Sequence, residues 1–215
     1  MSDVEFFLDP VCPWAWVTSR WVVEVASQRS YDVEWRFICL RIVNEDKDFE
    51  HDPTSPYGRV HGAGRMMLRA AAAARVAGGN DAVGRLYTEY GTRLHNGGRS
   101  ALEIREANYS LIGEAITAAG FGSDIVAAAD DEKWDEVLRE ETAVALSRTG
   151  GDVGTPILTF SPGTAEETSF FGPVINRIPR GPEALEIWDC VERLARTPGM
   201  YELKRTQRER PDFTT

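Results

Sequence analysis

Cysteine is scarce in this chain: 215 residues contain three, Cys12, Cys39 and Cys190. An odd and dispersed set supplies no disulfide framework, and with only His51, His61 and His95 beside it, no zinc-ligand spacing either. Positive charge is also in deficit. Lys and Arg total 24 against 34 Asp and Glu, a formal net charge of −10. Such a chain lacks the dense basic surface that nucleic acid or an anionic bilayer requires. No apolar run approaches the roughly 18 to 20 residues that span a membrane, and no glycine-rich loop follows a strand signal to cradle a nucleotide phosphate. The opening MSDVEFFLDP carries Asp3, Glu5 and Asp9 without a basic leader, so it reads as a first strand and not as a signal peptide. The expectation is a cytoplasmic protein with small-molecule partners, no nucleic acid, no membrane and no metal; a homodimer stays open.

What is present is a clear alternation of element types. Val4 to Leu8 is a short strand-forming run closed by Asp9-Pro10. A helix follows, with Pro13 at its first position and Trp14, Val17, Trp21 and Val25 forming an apolar face. Alternation from Val33 to Leu40 predicts a second strand that includes Cys39. His51 to Pro56 has loop chemistry, and the chain from about 58 to 148 reads as helical. An alanine-rich segment closes at Gly78-Gly79, and a second amphipathic stretch closes at His95-Asn96-Gly97-Gly98. Further helices are expected at 103–119, 123–130 and 132–148. Strands return at Ile157–Phe160 and Thr168–Phe171, and Leu185, Trp188, Val191 and Ala195 mark a closing helix that also carries Cys190. The pattern is an α/β sheet with helices on both faces and an all-helical lid, 51–148, between its halves 1–50 and 149–200, followed by a polar tail, 201–215.

The stretch DPVCPWAWVTSRW concentrates the chemistry. If the helix begins at Pro13, the Cys12 sulfur sits where unpaired amides and the positive dipole end converge, which favours thiolate. The plainer reading of a free cysteine is a small core filler, and it is adopted for Cys39 and Cys190. Asp9 either caps the strand end or, buried near Cys12, shuttles a proton. Trp14 either stacks on an aromatic ligand or packs on the sheet. Gly154-Thr155-Pro156 stands directly before a strand, where proline marks an edge or a special turn. His95 and Asn96 end a helix, as capping residues or as ligand contacts. KRTQRER, 204–210, reads as a solvated basic tail.

DPVCPWAWVTSRW, RLHNGG, GGDVGTP, FFGPVINRIPRG and YELKRT together span nearly the whole chain, and through them it resembles the thioredoxin-fold DsbA-like oxidoreductases with a helical insertion. Within that group it is similar to the mycothiol-dependent reductases and nitroreductases. The resemblance implies a thioredoxin-like domain from 1–50 and 149–200, Cys12 as nucleophile, and Thr155-Pro156 as the cis-proline loop facing it. Pro13, Trp14, Asn44, Tyr57, His95 and Asn96 are implied as substrate or thiol contacts. The family's dithiol form has cysteine where this chain has Ala15. A single sulfur implies monothiol exchange, with no tightly bound cofactor and a low-molecular-weight thiol, mycothiol or glutathione, as cosubstrate. The alternatives are a thiol-cofactor transferase or isomerase of the kappa-class type and a degenerate binding protein without turnover.

Overall fold

A computed structural model describes residues 2–52, 54–101 and 110–214. Its sheet has four strands in the order β2-β1-β3-β4. Strand β1, Val4–Leu8, runs parallel to β2, Val33–Phe37, in the register Val4 to Val33. Helix α1, Pro13–Arg29, makes the crossover between them. Strand β3, Ile157–Phe160, runs antiparallel to β1 on its other side, and β4, Thr168–Phe171, forms a hairpin with β3. This is the α/β sheet with a helical insertion that the element order predicts, and the thioredoxin-like sheet that the resemblance implies.

Between β2 and β3 the chain is helical. One-turn helices α2, Leu40–Val43, and α3, Asp48–His51, lead into the long α4, Pro56–Gly91, which ends in a π-helical turn, Thr92–Asn96. Helices α5, Ser110–Ala118, α6, Ser123–Ala127, and α7, Asp135–Thr149, follow. The expected helix 103–119 is therefore seen from 110 onward, and its first residues lie outside the described ones. Helix α8, Gly181–Ala195, closes the fold.

Both faces of β1 are covered, as its unbroken burial requires. Val4, Phe6 and Leu8 enter the main core with Trp21 of α1 and Trp188 of α8, whose rings meet edge to face at 5.2 Å. Phe7 points the other way, into a smaller cluster with Ile157 and Ala145 of α7. Glu5 shares that second face, ion-paired to Arg36 and Arg148; Arg36 also reaches Glu141, which Arg75 holds at 2.7 Å. A bidentate Arg69–Asp135 pair, 2.6 Å at each contact, ties α4 to α7.

Two expectations are corrected. Strand β2 ends at Phe37, not Leu40, because the Cys39 amide donates to Thr142 Oγ1 of α7 and the chain turns into α2. Cys39 thus caps a helix and is still buried. Cys190 is exposed: two positions after the buried Trp188, it lies about 200° around the helix, on the solvent side. Gly78-Gly79 closes the alanine-rich helix as expected: both residues leave helical geometry, and α4 is two helical stretches that meet at this kink. Gly79 takes φ +71°, a left-handed conformation that suits glycine. The next residue, Asn80, is thereby delivered to the edge of β2. Its Oδ1 accepts from Trp35 N at 2.8 Å, and its Nδ2 donates to the Val33 carbonyl at 2.7 Å.

Candidate active site

The ends of β1 and β2 and the start of β3 meet at one end of the sheet, and the predicted chemistry collects there. Cys12 is the N-cap of α1, extended at φ −82° and ψ 111°, with Pro13 at the first helical position. Its Sγ accepts from the Ala15 amide at 3.5 Å and donates its own proton to the Thr155 carbonyl at 3.6 Å. Thr155 is fixed in turn, its hydroxyl donating to the Phe7 carbonyl at 2.9 Å. The Thr155–Pro156 bond is cis, and the Pro156 carbonyl accepts from Gly172 N at 2.8 Å. Cys12 and the Thr155-Pro156 loop are therefore in direct contact across 143 residues of sequence.

The electrostatics of this closed site depart from the helix-start expectation. Cys12 is only 7% exposed. Burial pushes its thiol from 9.0 up to about 12, opposed by the Ala15 and Trp14 amides and reinforced by the nearby Asp9 charge. The cap amides are present, but desolvation outweighs them, so the resting sulfur carries its proton. Asp9, fully buried, is the capping residue of the strand end: Oδ1 accepts from Val11 N at 3.1 Å and Oδ2 from Leu40 N at 2.8 Å. Burial raises its carboxyl from 3.8 to about 6, against the pull of those two amides and of His61.

His95 stands over the same site. Its Nε2 lies 3.0 Å from the Pro10 carbonyl. Burial lowers the imidazole to about 4, so at neutral pH the ring is uncharged and Nε2–H is the donor to Pro10. The ring stacks on Trp16 at 6.0 Å. Asn96 accepts from Trp16 Nε1 at 3.0 Å. Both residues thus make specific contacts at the Cys12 end of the fold, beyond ending a helix. Pro13 and Trp14 flank the sulfur and are half-buried.

Two predicted contacts point elsewhere. Asn44 turns back on its own helix, donating from Nδ2 to the Leu40 carbonyl at 2.9 Å. Tyr57 is 67% exposed and packs on Phe49 and His61, beside the buried Glu50 that Arg41 and His61 pair. Among the described residues no group of three or more potential metal ligands forms, and no described helix is long and apolar enough to cross a membrane.

Trp16 is the residue that the sequence pattern does not single out. It is buried between His95, Tyr87 and the Arg20 guanidinium, whose Cζ lies 4.2 Å from the indole centroid. Its signal is indirect. Gly91 lies inside a helix where no turn needs glycine, and a Cβ there would overlap the Trp16 ring. Two clefts of about 280 and 540 Å³ open at the opposite end of the sheet, both lined by Ser2 and Tyr31, away from the sulfur.

A family model described as Rv2466c-like, mycothiol-dependent nitroreductase Rv2466c, matches residues 11–205. An uncharacterized protein of Mycobacterium tuberculosis, Rv2286c, is 31% identical over 205 residues, covering 95% of this chain and 82% of that protein.

Proposed function

From the chain's membership of the Rv2466c-like family of mycothiol-dependent nitroreductases, we propose that it is a thiol-dependent oxidoreductase working through Cys12 alone. One observation carries this reading. The sulfur lies at a helix start against the Thr155 carbonyl, and the amide that caps it belongs to Ala15, where a dithiol enzyme would hold its resolving sulfur. A mixed disulfide formed here has no partner at that position to displace it.

Exchange then proceeds in two balanced steps. Cys12 attacks the R-bearing sulfur of a disulfide R–S–S–R′; a new S–S bond joins Cys12 Sγ to that sulfur, the substrate S–S bond breaks, and the Cys12 proton ends on the departing R′–SH. A free low-molecular-weight thiol of the mycothiol type next attacks the R sulfur. It becomes R–S–S–R″, gives its proton to Cys12, and is the reductant. The Ala15 and Trp14 amides stabilise the sulfur as it becomes anionic. The half-buried Pro13 and Trp14 form the rim, with His95 and Asn96 above.

Intact-mass analysis after incubation with an oxidised low-molecular-weight thiol at mildly alkaline pH tests this. The expected result is one adduct mapped to Cys12 and its removal by reduced thiol; absence of that adduct overturns the reading. The burial of the sulfur favours a second reading, binding without turnover. Cys12→Ser separates the two: ligand binding that survives alongside a parent without thiol-dependent turnover supports the second.

A further inference from the structure

Residues 201–214 have no regular structure, and 201–210 are all exposed, yet the last of them are tied down over the Cys12 end of the sheet. Five contacts of three kinds hold them. The Arg208 guanidinium lies over the Trp14 ring, Cζ to centroid 5.8 Å. Asn176, in the loop after β4, donates to Glu209 Oε2 at 3.2 Å and accepts from Asp212 N at 2.6 Å. The Phe213 ring packs on His95 at 5.4 Å, and the Phe213 carbonyl accepts from Asn96 Nδ2 at 2.7 Å. Asn96 therefore uses both ends of its amide, one on Trp16 and the other on the tail.

A polar, charged tail with no helical or strand pattern gains nothing from local structure by lying in this path. Its hold is made of one aromatic contact, one cation over a ring and a few hydrogen bonds, a set small enough to open locally without unfolding the sheet. The residues it covers, Trp14, His95 and Asn96, are those a ligand would meet on its way to Cys12.

We propose that residues 208–214 are a gating strap: docked, they roof the approach to Cys12, and released, they open it. The consequence for turnover rests on the reading of Cys12 as the reactive group, but the gate itself is a matter of access. In the released state the sulfur gains water and its cap amides act on it without the desolvation of the closed site.

Alkylation by iodoacetamide, followed by peptide mass mapping, measures this without requiring any turnover. The molecule carries its own references: exposed Cys190 reports reagent activity, and fully buried Cys39 reports an intact core. A chain ending at Thr206 is expected to label Cys12 about tenfold faster than the full chain, with Cys39 still silent. Phe213→Ala gives an increase of several fold. A synthetic peptide of residues 204–215 added to the shortened chain slows labelling again. Should the shortened chain expose Cys39 as well, Phe213→Ala alone decides. Cys12 labelling at the full-chain rate in a variant whose Cys39 stays protected overturns the strap, whether or not Cys12 forms a mixed disulfide.

Discussion

The two ends of strand β1 bury acidic chemistry in opposite ways. At its beginning Glu5 is enclosed by cations, with Arg36 and Arg148 paired to it and Glu141 and Arg75 extending the ladder. Just beyond its end, Asp9 is enclosed as completely but is met by backbone amides, and its carboxyl rises to about 6. The first arrangement compensates charge with charge and serves packing. The second leaves a carboxyl and a thiol, Asp9 and Cys12, under desolvation, met by backbone amides and, at Cys12, by the Thr155 carbonyl, which is the setting in which protonation states respond to ligands and water. Burial alone does not distinguish a structural carboxylate from one beside a reactive group; the kind of partner does.

The sharpest way to break that contrast is at the sulfur. Cys12→Ser is expected to abolish adduct formation and thiol-dependent turnover, a loss of more than about a thousandfold, while the thermal midpoint moves by no more than about 2 °C. A parent-like adduct on the serine variant would remove Cys12 from the mechanism. Next comes the other end. Glu5→Ala leaves Arg36 and Arg148 facing each other and is expected to cost about 3 kcal/mol in urea unfolding, with Cys12 alkylation in the folded protein unchanged. A cost near zero would make the ladder a surface network.

A smaller effect tests Asp9 by pH. Its carboxyl titrates near 6 in the folded chain and at 3.8 ordinarily, so between those values the folded state binds the extra proton. Stability should therefore fall as pH rises from about 4 to about 6 and level off above, by on the order of 1–3 kcal/mol. Asp9→Asn should flatten that stretch of the curve relative to the parent; identical slopes would mean that the carboxyl titrates normally. Least disruptive is Ala15→Cys. Air oxidation is expected to remove two hydrogens from the intact mass by linking positions 12 and 15, with stability changed by about 1 kcal/mol or less. Two free thiols persisting at those positions would show that the helix start does not hold them at bonding distance.

Much of this was readable beforehand where local and tertiary preferences coincide. Pro13 after Cys12 marks the helix start because proline suits its first turn, and β3 and β4 stand where their strand formers lie. The failures have tertiary causes. β2 stops at Phe37 because Thr142, a hundred residues away, takes the Cys39 amide, which no alternation of apolar and polar residues reveals. Desolvation of Cys12 depends on tertiary cover, and the residues around it, Trp14, His95 and Asn96, are met by a tail whose own sequence looks merely solvated. Trp16 falls between the positions of the apolar stripe, and Gly91 on a distant helix is the hint of its ring.

The side chain of Asn80 imitates a neighbouring strand, offering β2 one acceptor and one donor in the alternation that a real partner would supply. Glu141 continues the imitation by accepting from Phe37 N at 2.7 Å. The border of the sheet is thus finished by two helices with counterfeit backbone groups, and intermolecular strand addition on that side is discouraged at its source. In a chain this rich in β-formers near its beginning, an amide and a carboxylate close the seam along which a second strand could add.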